Sequence, residues 1–181
     1  MWTCFAGSLG AVKLAWFSES AQAWHGVDKL VAVADRFSDM DFHIVGAQIE
    51  RVPKNFVIHG VLGREQLLQL YSKVDCGIGS LALHRNNMSE ASPLKSREYL
   101  AHGLPVIGAY RDSDITDCDF FLRIANTESG LRESVGEVRD FVYRWKDREI
   151  DMGLVRSRID LTVKEDRRLE FLSRVLAKSV V

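Results

Sequence analysis

Charge of neither sign is in surplus in this sequence. Its 24 lysines and arginines are met by 25 aspartates and glutamates, a formal net charge of -1. Bulk charge therefore points to no nucleic acid and no anionic membrane as partner, although local basic pockets stay open. Cysteine is sparse too: Cys4, Cys76 and Cys118 are scattered and odd in number. They form neither a disulfide framework nor a zinc spacing, which favours a reducing compartment such as the cytoplasm. No apolar run is long enough to span a bilayer. The mildly apolar start, Met1 to Val12, has no basic leading segment, so no signal peptide is expected. It reads as a leader or a linker remnant, with residues 13–181 as one domain. Also missing are a phosphate-binding P-loop, a nucleophile elbow, internal repeats and low-complexity tracts. The composition, 46% hydrophobic and 27% charged in 181 residues, is that of one globular domain with a real core.

Within that frame, short apolar runs alternate with helical stripes. Strands are expected at Lys13–Phe17, Asp41–Gly46, Asn55–Gly60, Asp75–Ser80, Pro105–Gly108 and Phe120–Ile124. Helices are expected over Gly26–Phe37, Arg64–Lys73, Leu94–Ala101, Ser129–Lys146 and Met152–Lys178. Strand–helix alternation implies right-handed crossovers and a parallel sheet covered on both faces, an α/β fold. Ligands of such sheets lie outside the carboxyl ends of the strands. The chemistry is then expected in the loops Ser18–His25, Gly46–Glu50, Gly60–Gly63, Leu81–Leu94 and Ala109–Asp119.

The stretch Glu90 to Gly108 concentrates the functional signal. Glu90 and Glu98 stand eight positions apart around a polar turn, Ser92-Pro93-Leu94-Lys95-Ser96. Pro93 suits the first turn of a helix, Ser92 can cap it, and Gly103 is a left-handed stop. A helix start has unsatisfied donors and roughly half a positive charge, so it is ready to take an anion. Lys95 adds a full charge. The arrangement is read as a phosphate held at the turn, with hydroxyl groups held by the acid on either side.

These residues, Glu90-Ala-Ser-Pro-Leu-Lys-Ser-Arg-Glu98 followed by Tyr99-Leu-Ala-His-Gly-Leu-Pro-Val106, resemble a family signature. It is that of the retaining glycosyltransferases with two facing Rossmann-like domains, the GT-B fold, and in particular of glycosyltransferase family 4. The resemblance runs from about Lys13 to the end and implies the C-terminal, donor-binding half of such an enzyme. It implies that Glu90 is the catalytic-side acid at the donor sugar and that Glu98 binds the ribose diol. Read by themselves, Glu90 is equally a solvated loop acid, and Glu98 a helix acid paired with Arg97 or Lys95. Ser92, Leu94 and Lys95 are assigned to the diphosphate. Ala23-Trp-His-Gly-Val-Asp28 resembles the family's first loop–helix junction, which puts His25 and Gly26 at the phosphates. Here the chain departs from the pattern: His25 replaces a lysine, and no arginine stands in Phe17–Trp24. Lys29 or Lys95 is then expected to carry more of the charge. Gly46 and Gly60 match positions bordering the nucleoside, or else make simple strand-end turns.

No metal or other cofactor is expected, and Asp112-Ser-Asp114 reads as turn-capping rather than as a metal site. Arg85 is read as a solvated loop residue or a contact to acceptor or phosphate. A two-domain enzyme needs more chain than this, so an N-terminal acceptor-binding domain is the implied partner, besides the nucleotide sugar. The apolar positions of the last helix imply an exposed face or a second copy upon it, and the longer enzyme is compatible with a peripheral place at a membrane. Two rival readings remain: a GT-B-like module used only for assembly or partner binding, and another GT-B enzyme such as a nucleotide-sugar epimerase.

Overall fold

The computed structural model describes residues 12–17 and 22–178. Residues 1–11, with Cys4, and most of the Ser18–Trp24 loop lie outside the described residues. Six strands form one sheet: β1 Val12–Phe17, β2 Met40–Val45, β3 Phe56–Ile58, β4 Cys76–Ile78, β5 Val106–Gly108 and β6 Phe121–Arg123. Their order is β3-β2-β1-β4-β5-β6, and every neighbouring pair is parallel. Seven α-helices accompany them among the described residues: α1 Val27–Val33, α2 Arg64–Tyr71, α3 Leu94–Ala101, α4 Gly130–Glu133, α5 Val135–Trp145, α6 Met152–Ile159 and α7 Leu161–Lys178.

Alternation along the strands sorts the two faces of the sheet. Leu14 is in register with Cys76, Trp16 with Ile78, and Ile78 with Ile107. On that face Leu14, Phe42, Ile78 and Ile107 pack with Leu30 of α1, Leu131 of α4 and Val138 of α5. The opposite face carries Ala15, Gly77 and Val106 in one row. Gly77 has no side chain because the Tyr99 ring of α3 occupies that space: a Cβ there would lie 2.3 Å from the ring. Tyr71 of α2 meets Tyr99 edge-on at 5.7 Å between centroids, so α2 and α3 share this second layer. Both faces are covered, as parallel sheets require.

Three expected helices are interrupted. The Gly26–Phe37 stripe is α1 followed by a 3-10 turn, Ala34–Phe37. The Asn55 amide gathers the carbonyls of Ala34, Phe37 and Met40, so the end of the helical stretch is satisfied from a distance. Ser129–Lys146 divides into α4 and α5 at Ser134. Met152–Lys178 divides at Asp160, which is extended and whose carboxylate accepts from the Thr162 N–H to start α7. Along α7, Leu161, Leu169, Phe171, Leu172 and Leu176 are exposed. No helix among the described residues is long and apolar enough to cross a membrane.

Candidate functional site

The strand order reverses between β1 and β4: the chain winds outward from β1 through β2 to β3, then returns to the other side at β4. In open α/β sheets the crevice outside the carboxyl ends of the strands at such a reversal is where ligands bind. The segments leaving these two strands interlock. After β1, the 3-10 turn Ala23–His25 leads into α1. After β4, the Leu81 and Ala82 N–H groups donate to the His25 and Trp24 carbonyls at 3.2 and 3.1 Å. Gly26 joins turn to helix with a left-handed φ of +75°. A Cβ on it would lie 2.9 Å from that of Leu81, so close packing demands glycine here whatever a ligand requires.

Four polar or aromatic side chains meet at this reversal. His25 Nδ1 lies 3.5 Å from Ser80 Oγ and 3.4 Å from Lys95 Nζ. The Lys95 ammonium stands 5.3 Å from the centre of the Trp16 ring. Trp16 also meets His25 edge-on, and its indole N–H is buried with no hydrogen-bond partner. Burial lowers the pKa of Lys95 to about 7. Burial, with the Lys95 charge as the smaller cause, lowers that of His25 to about 4. At neutral pH His25 is therefore an uncharged hydrogen-bonding group rather than a cation, and Lys95 is charged only part of the time. An anion in the crevice would raise both values, because opposite charge favours the protonated forms.

Beside this cluster α3 begins. Its N-cap is Pro93, whose carbonyl accepts from Ser96 and Arg97. Contrary to expectation, Ser92 does not cap the helix: its hydroxyl accepts from Arg97 at 2.6 Å. Pro93 has no side chain that could close the first turn, and Leu94 is exposed there. A helix start points its backbone donors outward, the arrangement that suits an anion.

The two acids differ in their surroundings. Glu90 forms an isolated parallel bridge with Arg111, which also donates to its carboxylate at 3.2 Å; both side chains are exposed. Glu98 is half-buried one turn into α3, beside Tyr71. Arg97 is no partner of Glu98. It binds the fully buried Asp112 through both carboxylate oxygens at 2.7 and 2.8 Å, and Asp114 at 2.7 Å. Asp112 and Asp114 thus hold an arginine as well as shaping their turn, where Asp112 also accepts from the Asp114 N–H.

Lys29 does not turn towards the crevice. Its ammonium is buried and donates to the Leu81 and Thr127 carbonyls. Arg85 is likewise occupied, holding Asp28 with two bonds, Glu128 with two, and the Ala23 carbonyl. It fastens the turn before α1 to the segment after β6. Gly46 and Gly60 end β2 and β3, both with left-handed φ, and the Gly46 N–H donates to the Gly60 carbonyl at 2.7 Å. The space a Cβ would take at Gly60 is empty to 4 Å, so backbone is open to approach there. No group of three or more His, Cys, Asp or Glu side chains among the described residues is placed to hold a metal ion. Ser80, Trp16 and Arg111 join the candidate site from the structure alone. Ser80 had a signal in the sequence, its place at the carboxyl end of the strand on the far side of the reversal.

No protein-family model matches the chain, and no curated protein sequence matches it. Solved structures do. A sucrose-phosphate synthase from Thermosynechococcus elongatus superposes with a TM-score of 0.63 at 13% identity, over 93% of this chain and 46% of its own. A glycosyltransferase from Rickettsia africae gives 0.61 at 17% identity, over 94% and 49%. AviGT4, a glycosyltransferase involved in avilamycin A biosynthesis, gives 0.53 at 15% identity, over 93% and 52%. The chain spans about half the length of these relatives. Identities this low speak to architecture: the chain has the six-stranded, Rossmann-like α/β fold found in GT-B glycosyltransferases.

Proposed function

We propose that this chain is the nucleotide-sugar-binding domain of a retaining glycosyltransferase of family 4 type, the C-terminal half of a GT-B enzyme. The diphosphate lies in the β1/β4 crevice, against the open start of α3. One observation carries the reading: a buried lysine, a histidine and a serine converge at the reversal of strand order, next to the start of α3. In this reading Lys95 and the α3 donors take the charge that develops on the leaving diphosphate, which is electrostatic stabilisation at a site held ready beforehand. His25 and Ser80 donate or accept according to the phosphate oxygens they meet.

Glu98 takes the ribose diol, since a carboxylate offers two acceptors to two vicinal hydroxyls. Glu90, exposed at the mouth with Arg111, orients the sugar. Gly46 and Gly60 border the nucleoside. The acceptor and the rest of the catalytic surround come from an N-terminal domain, so this chain alone binds nucleotide and turns over little sugar. Titration calorimetry with UDP, GDP and ADP at low salt tests the reading. Binding of at least one, weakened by Lys95→Met, supports it; no heat from any of them refutes it.

A further inference from the structure

The Tyr71 hydroxyl is a polar group at odds with its surroundings. Tyr71 is 3% exposed, and its oxygen is buried with no hydrogen-bond partner. Buried tyrosine hydroxyls ordinarily find one, and leaving a donor unmatched costs on the order of 1–3 kcal/mol. The ring is not free to carry its hydroxyl elsewhere. It packs edge-on against Tyr99 at 5.7 Å and tilted against His102 at 5.1 Å. Tyr99 is itself seated in the gap left by Gly77 in the sheet. The group near enough to answer the hydroxyl is the Glu98 carboxylate. Burial is the larger cause of the raised Tyr71 pKa, and the Glu98 carboxylate adds to it both by its charge and by standing where the hydroxyl can donate to it. Glu98 is only half-buried and hangs on a chain of rotatable bonds, so of the two it is the member that can move.

We infer that Tyr71 is a positioning residue for Glu98: its fixed hydroxyl hydrogen-bonds one edge of the Glu98 carboxylate when that carboxylate turns to receive a ribose diol. The inference rests on the nucleotide-binding reading and adds to it a residue on another helix, 27 positions earlier in the chain. In the unliganded fold the hydroxyl lies within the influence of the carboxylate but short of a full hydrogen bond; ligand binding supplies the reason for the carboxylate to settle against it. A phenol donating to an ionised carboxylate is a charge-assisted bond, short and directional, and holds one rotamer against the others.

The test is calorimetric titration of the intact chain, Tyr71→Phe and Glu98→Ala, with whichever of UDP, GDP and ADP binds and with its 2′,3′-dideoxy counterpart, alongside thermal melts. Tyr71→Phe is expected to weaken ribonucleotide binding about threefold to tenfold, the worth of one hydrogen bond, and Glu98→Ala more strongly. Dideoxynucleotide binding is expected to be the same in all three proteins. Melting of Tyr71→Phe is expected to be unchanged or slightly raised, since an unmatched hydroxyl is removed. Equal weakening for both ligands, or a lost fold in Tyr71→Phe, would overturn the inference by showing a packing role. If Glu98→Ala loses the diol discrimination and Tyr71→Phe keeps it, the inference fails while the nucleotide site stands. If the unaltered chain binds none of the nucleotides, both fall together.

Discussion

If the proposed site holds a diphosphate, Lys95 should make nucleotide affinity depend on pH. Burial sets its pKa at about 7 in the free chain, against 10.5 for an ordinary lysine. At pH 7 about half the molecules therefore carry the ammonium, and at pH 9 about one in a hundred. A bound diphosphate raises the value again, so binding draws a proton from solution over this range. Linkage then makes the dissociation constant climb towards tenfold per pH unit between the free and bound values, about fiftyfold from pH 7 to pH 9. Before binding, the terminal phosphate of the ligand titrates near 6 and His25 lower still, so neither changes charge above pH 7 in the free partners.

Calorimetry at pH 8 in two buffers of different ionisation enthalpy counts the protons directly; close to one per nucleotide is expected. Lys95→Met should abolish both the proton uptake and the pH dependence. It should also weaken binding at pH 7 by about tenfold to a hundredfold, the range for a hydrogen bond to a charged group. An affinity that is flat from pH 7 to 9, or a Lys95→Met chain that binds as the parent does, would refute the assignment of Lys95 to the phosphates.

Other consequences can be checked without ligand. Arg97→Ala strips the fully buried Asp112 of its counter-ion and should cost about 3–5 kcal/mol in denaturant unfolding. Gly77→Ala drives a methyl group into the Tyr99 ring and should cost about 1–3 kcal/mol, with β4 and α3 losing hydrogen-exchange protection together. His25, His43 and His59 all have pKa values lowered chiefly by burial. The unfolded chain takes up these protons first, so their contribution is fully present above about 6.5 and is lost as pH falls; for His25 the loss runs down to about 4. Melts between pH 7 and 4 should show this decline, and His25→Gln should flatten part of it.

The order of elements was legible because it rests on local signals. Each of the six strands lies within or one residue beyond the run that marked it, and α3 occupies Leu94–Ala101, bounded by Pro93 and by Gly103 in its left-handed turn. The break at Asp160 was passed over inside the overlong Met152–Lys178 stripe, although aspartate is a favoured helix-start residue. What stayed illegible is long-range. Nothing in the spacing of Arg97, Asp112 and Asp114 foretells their ion pairs, and Asn55 closing the end of a helical stretch some twenty residues earlier leaves no periodic trace. The convergence of His25 with Lys95 required two loops to be laid side by side by the strand order. Lys29 looked as available as Lys95 until folding committed it to two carbonyls.

Asp114 answers two masters. It accepts from Arg97 on α3 and from Lys164 on α7, each at 2.7 Å. The helix that presents Lys95 and Glu98 is thereby yoked, through a single carboxylate, to the last helix of the described chain. Any event that shifts α7 pulls on the same tether that steadies the opening turn of α3, so the far end of the chain has a mechanical hold on the crevice.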